Sequence, residues 1–220
     1  MRLISQSFED GAALPDIFAF CTPHPEQHAA LSGNRNPELS WLEVPEGTRS
    51  FVLTFTDRDA PSIPDDVNQP GRTLSTELPR ADFHHWVMIN ISSDCRTLEA
   101  GACSEGVTVG GKQAPPGPPG TRQGRNDYTG WFEGDPNMGG LYNGYDGPGP
   151  PWNDERIHHY CFKLFALDIE TLDLKDGFGA VETLTALEGH SLETASLSCT
   201  YTMNPALRSL RQHETHRPPH

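Results

Sequence analysis

Acidic, imidazole and phenol side chains stand at the ends of three apolar runs of this chain. Imidazole and phenol groups can donate hydrogen bonds to an oxyanion, and carboxylates can orient an imidazole or receive a cation. Side chains held at strand ends are positioned better than side chains on floppy loops. We therefore interpret these groups as the lining of one small polar pocket: Asp57 and Asp59, His85, and His158 with Tyr160.

A rigid loop precedes the last of these runs. The stretch GYDGPGPP, residues 144–151, is built almost wholly from glycine and proline, so its backbone is turned and stiff. Backbone amides around Gly149, held by prolines such as Pro151, could converge on phosphate or carboxylate oxygens as a nest does. The loop also delivers His158 to the entrance of the following strand.

Each of these features alone has an ordinary structural explanation. An Asp-x-Asp after a strand is usually a turn, and a histidine that opens a strand is more often structural than functional. Two carboxylates beside an anion also look unfavourable, unless they orient the imidazoles or receive an ammonium group. A zwitterion such as phosphoethanolamine offers both charges, so the set favours a zwitterion over a bare phosphate.

The elements that position these residues are predicted to be strands. Period-two patterns of β-branched and aromatic residues cover 50–57, 83–91, 158–167 and 195–202. Strict alternation places His85, Val87 and Ile89 on one face of the second strand, and His158 and Tyr160 on one face of the third. Apolar spacing predicts one principal helix within 172–192, with its core at 174–190. The content of 21 glycines and 20 prolines supports an all-β dominated fold with many ordered turns.

The domain organisation is predicted to be simple. With 220 residues, the chain suits a single domain over 1–205 and a polar, frayed tail over 206–220. Two long loops, at about 62–81 and 92–143, interrupt it. The second loop is expected to be an ordered lid rather than disorder, because it carries aromatic residues that can pin it to the body: Tyr128, Trp131, Phe132 and Tyr142.

Charge and composition exclude several partners. The formal net charge of −14 at pH 7 repels phosphate backbones, and no basic run offsets it, so nucleic acid is not an expected partner. No run of about 18 apolar residues predicts a transmembrane segment, and the N-terminus lacks the apolar region of a signal peptide. We expect a cytoplasmic protein. The five cysteines show no CxxC spacing, and we predict no metal and no cofactor.

The order of the motifs resembles that of the phosphatidylethanolamine-binding protein family, and most closely its bacterial branch, often called Raf-kinase-inhibitor-like proteins. The resemblance covers about residues 39–204. Two departures are Arg58, where many eukaryotic members have proline, and Phe83, where the aromatic residue is often tryptophan. Both loops are longer than in compact members. The matching motifs are Asp57-x-Asp59-Ala60-Pro61, His85-Trp86, Gly147-x-Gly149-Pro150-Pro151 and His158-x-Tyr160.

The resemblance implies two antiparallel sheets packed face to face, a helix in the C-terminal half and a shallow anion pocket at one end. By motif position it implies that the pocket is lined by Asp57, Asp59, His85, Gly149, Pro151, His158 and Tyr160.

Three functions are compatible with the sequence. The first is a non-enzymatic binding module for small anions or phospholipid head groups; no nucleophile elbow, Cys-His pair or phosphate-loop motif points to catalysis, so no catalytic residue is predicted. The second is an inhibitor of a protease or kinase that acts through the long loops. The third and least favoured is a metal-dependent hydrolase that uses the carboxylates and histidines as ligands. The sequence leaves the oligomeric state open.

Overall fold

The structure is a computed structural model that describes the backbone of residues 1–214 and the side chains of residues 1–209. Strands dominate it. The strands are β1 Arg2–Ile4, β2 Cys21–His24, β3 His28–Leu31, β4 Leu39–Leu42, β5 Ser50–Pro61, β6 Arg80–Ser92, β7 Thr97–Leu98, β8 Arg122–Gln123, β9 His158–Leu167 and β10 Ser191–Tyr201. The helices are α1 Tyr128–Trp131, α2 Ala180–Ala186 and α3 Pro205–Glu214, and a 3-10 turn covers Asp16–Phe18.

Two antiparallel sheets enclose the main core. One sheet has the strand order β10-β9-β5-β6-β8 and the other the order β1-β4-β7, and a hairpin of β2 and β3 stands apart from both. Trp41 of the smaller sheet packs in one cluster with Phe55, Trp86 and Phe162 of the larger one, all fully buried. The predicted architecture of two packed antiparallel sheets is therefore confirmed.

The strand β9 follows its predicted alternation. Tyr160, Phe162 and Leu164 face the core between the sheets, whereas Phe165 and Leu167 face the opposite side. β9 pairs with β5 without a break from Ser50 to Asp57, so the register that brings Tyr160 opposite Asp57 is fixed along the whole strand.

The strand β6 departs from strict alternation at His85. β5 pairs Phe55 with Trp86 and Thr56 with His84, so His85 is an extra residue in a β-bulge. The predicted common face for His85, Val87 and Ile89 is wrong. Val87 and Ile89 pack on the outer side of the large sheet, whereas the His85 ring contacts Phe55 on the core side. Bulges re-aim side chains in this way beside functional sites.

The outer side of the large sheet is covered by residues 172–187, but only part of this segment is helical. The predicted helix over 172–192 shortens to α2, because Leu172 and Phe178 reach the sheet from extended chain and β10 begins at Ser191. Val181, which the spacing assigned to the buried face, is 70% exposed. The apolar residues that suggested one long helix belong to an extended segment followed by the short helix α2.

The long loop at 92–143 holds only short elements and packs on the body through aromatic side chains. Tyr128 and Tyr142 are buried against Phe20, and the Phe20 and Tyr128 rings stack with centroids 4.5 Å apart. Phe132 packs against the same cluster, whereas Trp131 remains 43% exposed. We call residues 92–143 the lid.

The chain after Pro205 contains a helix that the sequence analysis did not predict. Residues 206–214 belong to α3, and residues 215–220 of the predicted frayed tail lie outside the described part. Arg208 explains the difference, because its guanidinium binds both carboxylate oxygens of Asp16 and lies 4.8 Å from the centroid of the Tyr201 ring. Sequence patterning could not reveal a partner that lies 192 residues away.

Candidate functional site

A small cleft opens where β5, β6 and β9 meet the lid and the loop that precedes β9. Its volume is about 90 Å³, well below the roughly 300–1,000 Å³ of clefts that take drug-sized ligands. A ligand of head-group size matches this volume better than an acyl chain does. The predicted residues that line the cleft are Asp57, His85, Gly149, Pro151 and His158.

His158 lies at the buried end of the cleft with both ring nitrogens occupied. Its Nδ1 is 2.7 Å from Oδ2 of Asp57, and its Nε2 is 3.0 Å from Oδ2 of Asp154. A histidine between two carboxylates donates from both nitrogens, so the ring is an imidazolium. His158 therefore offers the cleft a positive charge, but neither of its N–H groups is free to bind a ligand.

The protonation of His158 is stable over a wide pH range. Burial alone would lower its pKa, but the charges and hydrogen bonds of Asp57 and Asp154 outweigh burial and raise the pKa from the ordinary 6.5 to about 9. Below that pH the cleft keeps a fixed cation that does not depend on ligand binding.

Asp154 and Arg80 complete this buried charge set, and the sequence analysis missed both. The Arg80 guanidinium binds both oxygens of Asp154, at 2.5 and 3.1 Å, with only 7% of the Arg80 side chain exposed. Burial would raise the pKa of Asp154, yet His158 and Arg80 lower it. Two carboxylates and two cations thus form a neutral set. An Asp four residues before the predicted His158 was the available signal, and it lay between the glycine-proline loop and the predicted strand.

His85 is held in the opposite protonation state. Its Nδ1 is 2.8 Å from the backbone carbonyl oxygen of Asp146, which can only accept, so Nδ1 carries a hydrogen. Burial lowers the pKa of His85, and the charge of Asp57 only partly offsets this. A neutral His85 then presents the lone pair of Nε2, which has no partner among the described residues.

Asp146 is a second buried carboxylate that the sequence did not reveal. Its Oδ1 accepts from Asn34 at 2.7 Å and from the Lys112 ammonium at 2.8 Å, and its Oδ2 accepts from Asn126 at 2.8 Å. These donors join the N-terminal segment and the lid to the glycine-proline loop. Through its carbonyl oxygen, Asp146 also orients His85.

Two of the predicted residues do not line the cleft. Asp59 lies within a bulge of β5 between Asp57 and Ala60, and its carboxylate binds Arg156 and His159 instead of facing the cleft. Tyr160 is buried behind the cleft, with its ring centroid 5.5 Å from that of His85. Its hydroxyl has no hydrogen-bond partner within the described chain, and burial together with the Asp57 charge raises its pKa well above the ordinary value.

Few amides of the glycine-proline loop remain free to bind a ligand. Pro148, Pro150 and Pro151 have no N–H, and the amide of Gly147 donates to Asn34. The Gly149 amide has no acceptor among the described residues, so it can donate into the cleft. Gly149 itself is required by space, because a β-carbon there would lie 2.8 Å from the Tyr128 hydroxyl oxygen.

The described residues contain no group of three or more His, Cys, Asp or Glu side chains arranged to hold a metal ion. Of the four ligands considered above, Asp59 faces away, and both His158 nitrogens are committed to carboxylates. The geometry gives the metal-hydrolase alternative no support.

Comparison with known proteins agrees with this architecture. A family model described as phosphatidylethanolamine-binding protein matches residues 4–202. The chain is 31% identical over 202 residues to the UPF0098 protein YbhB of Escherichia coli K12, covering 91% of this chain and 99% of that one. It is 34% identical over 197 residues to a UPF0098 protein of Methanothermobacter thermautotrophicus, covering 90% and 95%.

Solved structures give the same result. The crystal structure of Escherichia coli YbcL, described as a new member of the mammalian PEBP family, aligns with a TM-score of 0.64 at 25% identity, covering 91% of this chain and 97% of that one. The class defined by the fold and the family match is thus a β-rich binding-type protein. The chain belongs to the phosphatidylethanolamine-binding protein family. None of the described helices has the length and hydropathy needed to cross a bilayer.

Proposed function

We propose that this protein is a non-enzymatic binding module for small anions and phosphoethanolamine-like head groups, bound in the cleft between Gly149 and His85. The observation that carries the proposal is the fixed imidazolium of His158 at the buried end of a cleft of head-group size. Gly149 also lines the cleft, and its amide adds a hydrogen-bond donor.

The balance of charges supports a zwitterionic ligand. Asp57, Asp154, His158 and Arg80 sum to zero, so the imidazolium of His158 cancels the repulsion that the buried carboxylates would otherwise exert on an anion, despite the charge of −14 on the whole chain. A phosphate beside Gly149 and an ammonium beside Asp57 would each meet a complementary group. Asp59 and Tyr160, which stand outside the cleft, would act only by supporting Asp57 and the histidines.

The chemistry of the nearby thiol supports binding rather than catalysis. Cys21 lies beside Gly149, with its β-carbon 3.8 Å from the position of a β-carbon there. Burial raises the pKa of Cys21 to about 11, so at neutral pH it is a thiol and not the nucleophilic thiolate.

The experiment is calorimetric titration of phosphoethanolamine into the wild-type protein and Gly149→Ala. The added methyl group collides with the Tyr128 hydroxyl, so we expect affinity to fall at least about tenfold. Gly130→Ala is the control, because a β-carbon there meets nothing within 4 Å. Equal binding by both variants and the wild type would place the ligand elsewhere.

The pH dependence separates binding from metal catalysis. His158 stays charged up to about pH 9, so the ligand phosphate supplies the proton that titrates near neutrality. We expect phosphate affinity to rise as the pH falls from 8 to 6. Metal ligation needs neutral imidazoles and would weaken over that window. Weakening on acidification, together with stoichiometric metal in the purified protein, would replace the binding proposal with the hydrolase alternative.

A second candidate is inhibition of a protease or kinase through the long loops. Ile63, on the loop between β5 and β6, is 53% exposed, and Trp131 of the lid is 43% exposed at the rim of the cleft. Exposed aromatic and aliphatic side chains of this kind are typical anchors of protein interfaces. Ile63→Ser should weaken any measured inhibition at least about tenfold while leaving phosphoethanolamine binding within about twofold, because Ile63 does not line the cleft.

We also propose a cytoplasmic location. All five cysteines are free thiols, which is typical of a reducing compartment. Fractionation of cells that express the protein tests this assignment.

A further inference from the structure

We propose that His85 makes the cleft selective for oxyanions that bring a proton, such as inorganic phosphate and phosphomonoesters, over oxyanions that bring none, such as sulfate and phosphodiesters. This inference rests on the proposed binding function and names the ligand class that the same site prefers.

The tautomer of His85 is fixed by the backbone of Asp146 at two points. The Asp146 amide donates to the His85 carbonyl oxygen at 3.1 Å, and Nδ1 of His85 donates to the Asp146 carbonyl oxygen at 2.8 Å. Because a backbone carbonyl cannot donate, Nε2 of the neutral ring carries the lone pair. The atom that remains available to a ligand is thus a hydrogen-bond acceptor.

The surroundings of His85 disfavour its charged form. The ring lies among the aromatic rings of Phe55, Phe83, Tyr128 and Tyr160, at centroid distances of 4.9 to 5.6 Å, and the residue is only 2% exposed. Burial of this kind penalises an imidazolium.

Carboxylates face His85 from three neighbouring segments. Asp57 of β5, Asp127 of the lid and Asp146 of the glycine-proline loop favour its protonation, though less than burial opposes it. His158 of β9 is the nearby cation, and it opposes a second imidazolium in the same cleft.

The cleft is rich in acceptors at its buried end. Asp57 and His85 both present acceptor groups there, and the N–H groups of His158 are already donated to carboxylates. The Tyr128 hydroxyl donates to the Gly147 carbonyl oxygen at 2.9 Å. An oxyanion without a proton would bring its lone pairs against the lone pairs of Asp57 and His85, and such an unmatched buried polar contact weakens binding.

A phosphate that carries a P–OH group resolves this conflict. It can donate its proton to Nε2 of His85 while its other oxygens face the Gly149 amide and the charge of His158. Sulfate has no proton at neutral pH, so it can bind in the same way only if His85 first takes one from water. That uptake weakens binding about tenfold for each pH unit above the pKa of His85.

The same reasoning separates two sources of phosphoethanolamine. The free compound is a monoester that is about half protonated near pH 6. The head group of a phospholipid is a diester and carries no P–OH. We therefore expect the free monoester to bind more tightly than the diester glycerophosphoethanolamine at pH 6 to 7.

The test is calorimetry with inorganic phosphate and with sulfate at pH 7, in buffers of different ionisation enthalpy. We expect phosphate to bind at least about tenfold more tightly than sulfate. Sulfate binding should take up about one proton per anion, and phosphate binding clearly less. The preference should shrink as the pH is lowered, because a protonated His85 donates to either anion.

His85→Gln and His84→Gln provide a matched pair of variants. Glutamine at 85 offers an amide N–H, so the two anions should bind within about twofold of each other and proton uptake on sulfate binding should vanish. The His84 ring bonds to the Thr56 hydroxyl at 2.9 Å and does not line the cleft, so its replacement should keep the wild-type preference.

Two outcomes would overturn the inference, and only one of them would also refute the proposed function. Equal wild-type affinities for phosphate and sulfate at pH 7, without proton uptake, would refute selectivity and leave anion binding intact. Failure of both anions and of phosphoethanolamine to bind would refute the proposed function and this inference with it. The wild-type comparison decides between them even if His85→Gln does not fold.

Discussion

Replacement of His158 by leucine is expected to lower the free energy of unfolding by about 3–5 kcal/mol at pH 7, the usual cost of removing one partner from a buried ionic group. His158 is fully buried between Asp57 and Asp154. Leucine would leave the Asp57 carboxylate facing an apolar side chain, and Asp154 would retain only Arg80 as a cationic partner. Urea unfolding measures the loss.

The pH dependence of the free energy of unfolding tests whether the charge of His158 causes this stabilisation. The folded-state pKa of His158 is raised from 6.5 to about 9, so its stabilising contribution is complete below pH 6.5 and is lost as the pH rises through 9. We expect wild-type stability to fall over that window and the leucine variant to lack this fall. His159→Leu is the matched control, because that side chain is 67% exposed. A wild-type profile without this alkaline decline would contradict a charged His158.

Replacement of Asp146 by alanine is the second change with a large expected effect. Lys112 would lose its carboxylate partner with only 11% of its side chain exposed, and Asn34 and Asn126 would each lose an acceptor. We expect a loss of about 3–5 kcal/mol. Because these contacts tie the lid to the glycine-proline loop, amide hydrogen exchange in the lid should accelerate.

The control for this variant is another acidic residue that also pairs with a basic side chain. Asp176 binds Arg122 at 2.8 Å but is fully exposed, so Asp176→Ala should leave stability unchanged. If the two variants were equally stable, the buried Asp146 cluster would have no special role.

The sequence predicted those parts of the site that depend on local patterning. The alternation in β9 assigned Tyr160 and Phe162 to the core side, and the fold bears this out. The run of glycines and prolines identified a stiff loop, and the structure places Gly149 and Pro151 of that loop in the cleft. These features follow from residues that are neighbours in the chain.

The parts that the sequence did not predict depend on distant partners or on an extra residue. Asp146 and Asp154 look like ordinary loop residues until Asn34 and Arg80 reach them across 112 and 74 positions. The bulge at His85 cannot be read from alternation, because alternation assumes that no residue is added. The bulge in β5 that turns Asp59 away from the cleft also adds a residue, so alternation could not predict it either.

The structure of the protein soaked in phosphoethanolamine, determined by crystallography, tests the central proposal most directly. We predict density for the phosphate within hydrogen-bond distance of the Gly149 amide and Nε2 of His85, with the ammonium group toward Asp57. The His158 ring should keep both of its carboxylate partners. Phosphoethanolamine bound anywhere else on the protein, with this cleft holding only water, would contradict the assignment of the site.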